Sequence, residues 1–224
     1  MFDDPVPATR APASDGARAH TQYRAADGKL VPSVTAILGV LAKPQLVGWA
    51  HRLGREGIDM DKHLAELAGA GTLAHAMIAA ELGGPPASED HFTPYQQSLA
   101  WTAFFHWGAW ASKHTIEPIA IEQPVVCERY RYGGTPDLYA LLDGVPTLLD
   151  WKTSTGIYPD HFMQLAAYKQ ALEEQGHEVA ELRVVQIARN EHGGWQERSV
   201  TQARDYLTAF MHCLKLYQLR RRIK

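Results

Sequence analysis

Cysteine is scarce. The 224-residue chain holds two, Cys127 and Cys213, far apart and in no C-x-x-C pair. That excludes a disulfide framework, a zinc ribbon and a four-cysteine iron–sulfur cluster. It fits a reducing, intracellular compartment. Long apolar runs are also missing: none reaches the roughly 18 residues of a membrane-spanning helix, so no membrane contact is expected. The start, MFDDPVPATR, lacks the basic end and apolar stretch of a secretory signal, and the expected location is the cytoplasm. Nor is there an excess of one charge. The net charge is −3, so any surface for nucleic acid has to be local rather than a polybasic coat. The composition is that of a soluble globular protein, with 46% hydrophobic residues to build a core.

No internal repeat is visible. Residues 1–28, rich in Ala, Pro, Asp and Arg and without a period, read as a mobile arm. The remainder, 29–224, reads as one domain. Its front, 29–115, is helical: a short helix capped near Ser33, a second ended by Gly57, and an Ala/Leu-rich stretch over 59–82. Gly69 and Gly71 leave that stretch as two helices or as one with a close-packed middle. An aromatic helix follows over 93–114, with Pro at an early position. The core, 116–198, turns β-branched. IAIEQPVVCERYRY reads as one strand, GGTPDLYALLDGVPTLLDWKTS as two more, then a helix from Pro159 to Gly176 and the strand ELRVVQIAR. Residues 199–224 form a last amphipathic helix with a basic end. Helices followed by β-β-β-α-β-α predict an α/β (α+β) fold.

One hairpin carries the chemistry. Asp143-Gly144 between two apolar runs signals a two-residue turn, with Leu142 facing Val145. Continuing that register sets Asp137 across from Asp150, where Cβ atoms lie about 4.5–5.5 Å apart. Two buried carboxylates that close repel unless they share a proton or a cation. A divalent metal resolves the conflict, and hard oxygen ligands suit magnesium or manganese. Strand alternation puts Lys152 on the face of Asp150 and Trp151 on the other. A lysine beside a cation can orient or deprotonate water or neutralise charge on phosphate, which points to phosphodiester hydrolysis.

These residues resemble the PD-(D/E)xK nuclease superfamily, and the fuller set resembles its RecB-like, phage-exonuclease branch. GTLAH gives Gly71 and His75, GTPD gives Gly134 and Asp137, DWK gives Asp150 and Lys152, and QLAAY gives Gln164 and Tyr168. VPSVTAIL near the front is similar to those nucleases too. Each motif alone is a common accident; four in one order, on the expected elements, are not. The resemblance implies a restriction-endonuclease-like core: a small mixed β-sheet flanked by helices behind an N-terminal helical section. It implies His75, Asp137, Asp150 and the Trp151 carbonyl as metal ligands for Mg2+ or Mn2+, and a histidine among oxygens leans toward manganese. It implies Lys152 as the catalytic group, with Gln164 and Tyr168 supporting it and the substrate backbone. The missing cysteine quartet departs from the iron–sulfur members, so no cluster is expected. With no helicase motif, the resemblance implies a stand-alone DNA exonuclease acting on duplex or single strands in recombination, repair or replication of a bacterial cell or phage-infected host. A second copy of the chain, or a recombination or replication protein, would be its protein partner. The alternatives are a structure-specific endonuclease and a nuclease-like module that binds nucleic acid without cutting.

Other residues read two ways. Glu122 is an accessory metal or water ligand, or a solvated strand end. Thr153 and Ser154 touch phosphate, or cap the loop before the next helix. Trp101, Phe104, Phe105, Trp107 and Trp110 stack on bases, or pack inward at helical spacing. Arg220, Arg221, Arg222 and Lys224 hold phosphates, or form a solvated tail. His51, His106 and His161 have no motif context.

Overall fold

A computed structural model describes residues 21–223. Residues 1–20 of the expected arm lie outside the described residues. Residues 21–28 differ from the expectation, because β1 (Tyr23–Arg24) pairs antiparallel with β2 (Leu30–Val31) across a turn at Gly28. The Arg131 guanidinium fastens that turn, donating to both Asp27 carboxylate oxygens at 2.8 and 3.0 Å.

Four helices form the front. The first, α1 (Val34–Leu38), is capped by the Ser33 hydroxyl, which accepts from the Ala36 N–H at 3.0 Å. Next comes α2 (Pro44–Arg55), with Gly57 in the left-handed conformation just past it. Residues 60–81 make one unbroken helix, α3 (Met60–Glu81), so the close-packed alternative holds. Both glycines serve packing: a Cβ at Gly69 would strike Gln96 of α4 (Pro94–Ala111), and one at Gly71 would stand 3.0 Å from Thr153 Oγ1. Thr93 and Gln96 form a reciprocal capping box at the start of α4.

The expected single strand over 119–132 is divided. β3 (Ile116–Ile121) ends where Glu122 takes a positive φ of 45°, and β4 (Val125–Cys127) pairs instead with β5 (Tyr132–Gly134) in a small separate sheet. The main sheet adds β6 (Leu138–Leu142), β7 (Val145–Lys152), β8 (Glu181–Ile187) and β9 (Trp195–Val200), in the order β3-β6-β7-β8-β9. Sequence reading missed β9; its core is Gln196, Glu197, Arg198 and Ser199, which carry no apolar alternation. β7 and β8 run parallel and are joined by α5 (Pro159–Glu174); every other pairing is antiparallel. This is a mixed sheet flanked by helices, as expected for a restriction-endonuclease-like core. α6 (Arg204–Arg222) packs against α5.

Each face of the sheet carries its own core. Leu148 of β7, with Leu182 and Val184 of β8, packs under α1, α5 and α6. Leu149, Trp151, Val185 and Ile187 pack under α3 and α4. The aromatic helix divides as well: Trp107 and Trp110 are buried, each ring edge-on to Trp151, while Trp101 and Phe105 are exposed. Placing β7 centrally, buried on both faces, sets the carboxyl end of β7 at the junction of the two helical layers.

Candidate active site

The β6–β7 turn sits at Asp143 and Gly144, with φ of 51° and 81°, the pair of left-handed residues that a type I′ turn requires. Leu142 pairs with Val145 and Leu138 with Leu149, and Pro146 fits opposite Leu141 without a bulge. Asp137, one residue before β6, therefore faces Asp150. Its Oδ2 accepts the Trp151 N–H at 2.8 Å, and its Oδ1 lies 3.1 Å from His75 Nδ1. His75 comes from the middle of α3, one turn after Gly71. The backbone of Glu122 is tied to the same point, its N–H donating to the Asp137 carbonyl at 3.0 Å. One ligand atom each from His75, Glu122 and Asp137 lies within 4.8 Å of the others. Glu122 is thus part of the cluster, and its left-handed backbone is the kind of strain that a folded site holds in place.

Asp150 stands on the other side, turned toward α5. Its Oδ1 accepts from Gln164 Nε2 at 3.3 Å, and its Oδ2 lies 2.5 Å from Lys152 Nζ. That second contact is a buried ion pair, and Lys152 is the partner of Oδ2. Burial pushes the Asp150 carboxyl above the usual carboxylate range; the Lys152 charge pulls it back and the Asp137 charge pushes it up again. Gln164 joins the group: Oε1 accepts from Lys152 Nζ at 3.3 Å, and Nε2 also donates to Tyr168 Oη at 3.0 Å. Burial raises the Tyr168 phenol far enough to stay protonated. A Cβ at Gly134 would overlap the Tyr168 ring, which gives the glycine of the GTPD motif a packing reason.

The donor set fits a divalent cation. It offers one imidazole nitrogen from His75 and carboxylate oxygens from Glu122 and Asp137, with Asp150 beside them. Of the residues singled out in the sequence, His75, Glu122 and Asp137 cluster together, while Asp150, Lys152, Gln164 and Tyr168 form a hydrogen-bonded and ion-paired row beside them. Trp151 supplies its N–H to Asp137 and its ring to the core. Thr153 packs on Gly71, and Ser154 Oγ donates to the Gly156 carbonyl at 3.0 Å, closing the loop before α5. His161 had no motif context, yet it occupies the α5 turn before Gln164. It is buried, accepts the Tyr158 N–H at Nδ1, and burial with the nearby Lys152 charge lowers its pKa to about 4. The only sequence signal was its place three residues before Gln164, on one helical face.

No family model matches the chain, and no curated protein matches it. Among solved structures, it is similar to LHK-Exo in complex with dAMP, with a TM-score of 0.41 and 8% identity over 70% of this chain and 83% of that one. It is also similar to SSO0001, with a TM-score of 0.30 and 13% identity over 66% and 74% of the two chains.

Proposed function

We propose that this protein is a divalent-metal-dependent deoxyribonuclease that hydrolyses phosphodiester bonds, with DNA ends as its substrate. The observation that carries this is the convergence of Asp137, Asp150 and Lys152 at one strand pair, with His75 and Glu122 on one side and Gln164 on the other. His75, Glu122, Asp137 and Asp150 would hold Mg2+ or Mn2+, with the Trp151 carbonyl beside them. Such an ion supplies a more acidic water and a polarised phosphate. Lys152 Nζ, steadied by Gln164 Oε1, positions the attacking water and offsets the charge that builds on the phosphate. The water oxygen bonds to phosphorus, the P–O ester bond breaks, and a proton ends on the departing oxygen. Gln164 and Tyr168 keep Lys152 and Asp150 in register, because one amide touches all three groups.

The test is incubation with end-labelled linear duplex, linear single strand and closed circular DNA, each with manganese, magnesium or EDTA. The exonuclease reading expects metal-dependent loss of linear DNA with circles spared. Cut circles would replace it with an endonuclease at the same site. DNA that is retained on a gel and never cut would make the chain a binding module.

A further inference from the structure

Arg189 lies just beyond β8, on the same edge of the sheet as the end of β7. It is partly buried, and burial holds its guanidinium below the ordinary arginine range. Its Nη1 donates to the Leu67 carbonyl of α3 at 2.8 Å. Among the described residues, Arg183 pairs with Glu181 and Glu197, whereas Arg189 has no carboxylate within 4.0 Å. The acid next to Leu67, Glu66, accepts from the Thr93 hydroxyl at 2.9 Å instead. A partly buried cation without a counterion is unfavourable, and an anion beside it offsets that cost.

The position says which anion. The Leu67 carbonyl points along α3 toward Gly71, and Gly71 packs on Thr153, the residue after Lys152. One turn further along α3, His75 meets Asp137. Leu67, Gly71 and His75 lie four residues apart on one face, about 6 Å per step. Arg189 and Thr153 therefore meet α3 at the turn between Leu67 and Gly71, one turn, about 6 Å, before the carboxylate cluster at His75, a step comparable to that between successive phosphates of a nucleic-acid strand.

We propose that Arg189, with the Thr153 hydroxyl, binds the backbone phosphate next to the one that is cut. This rests on the nuclease reading above. The strand would then run along α3, from the carboxylate cluster toward the end of β8.

The test uses the full chain and a fluorescent single-stranded oligonucleotide in EDTA, with anisotropy read across a salt series. Arg189→Gln keeps a donor for the Leu67 carbonyl and removes the charge; Arg189→Lys keeps the charge. Arg189→Gln should bind about tenfold more weakly at moderate salt, with a salt slope smaller by about one phosphate contact. Arg189→Lys should restore most of the slope. Wild-type affinity and slope in Arg189→Gln, with wild-type cleavage intact, would overturn this proposal alone and leave Arg189 as a strut to α3. Absence of both binding and metal-dependent cleavage by the wild type would sink it together with the nuclease reading, and absence of binding with cleavage intact would overturn the phosphate contact alone.

Discussion

At the scale of single residues, the site depends on a few contacts that leave no room for substitution. Gly134 faces the Tyr168 ring so closely that a methyl group has no space. Gly134→Ala should cost about 1–3 kcal/mol, as overpacking does. It should also slow cleavage more than it weakens DNA binding, because a displaced Tyr168 releases Gln164 and Lys152; urea unfolding and a kcat-against-KM comparison check both. His161 gives a prediction in pH. Its folded pKa of about 4 lies below the ordinary imidazole value of 6.5, so the native state prefers the neutral ring. The unfolded chain takes up the proton first, and stability falls as pH drops from about 6.5 to about 4, by ~1–2 kcal/mol with solvent screening allowed for. Asp150 acts in the opposite sense: its raised carboxyl favours the native state at low pH, a contribution lost as pH rises. His161→Gln leaves Asp150 in place, so denaturant midpoints of wild type and variant across that window should converge toward the acid end. Parallel curves would remove His161 from the balance.

At the scale of elements, the β6–β7 hairpin sets the two carboxylates against each other. Asp143 fastens its turn, accepting from the Thr115 N–H at 2.8 Å and lying 2.7 Å from His114 Nδ1. Gly144 sits at a φ of 81°, so Gly144→Ala should destabilise by about 1–2 kcal/mol. It should leave the cleavage rate at low temperature unchanged if the register survives; chemical denaturation and an activity assay separate the two effects. This hairpin was legible in the sequence because its signals are local: a two-residue turn and period-two alternation. The helix over α5 was legible for the same reason, with proline at its start and glycine past its end. What was not legible depends on partners distant in the chain. β9 is a polar edge strand whose register comes only from β8. The break at Glu122 follows from the pairing of β4 with β5, and that pairing puts the side chain at the site. The unbroken α3 reflects Gln96 and Thr153 filling the space beside its glycines, which no window of sequence around residues 69–71 contains.

At the scale of the molecule, the sheet separates two apolar cores, and the polar site lies where they meet. Trp151 ties the core under α3 and α4 to the site, with its ring against Trp107 and Trp110 and its N–H on Asp137. Trp151→Ala should cost about 3–5 kcal/mol. A cation bound only by the folded chain stabilises it by mass action. Manganese at a hundred times its dissociation constant should raise the melting temperature by about 5 °C or more, and Asp137→Asn should abolish the rise. The central claim, that Asp137, Asp150 and Lys152 together perform the cleavage, is tested most directly by single-turnover digestion of an end-labelled linear duplex with manganese, wild type beside Lys152→Ala. The rate should be lower by about 10²–10⁴-fold in the variant, which should remain folded and keep its manganese shift. Cleavage by Lys152→Ala at the wild-type rate would contradict it.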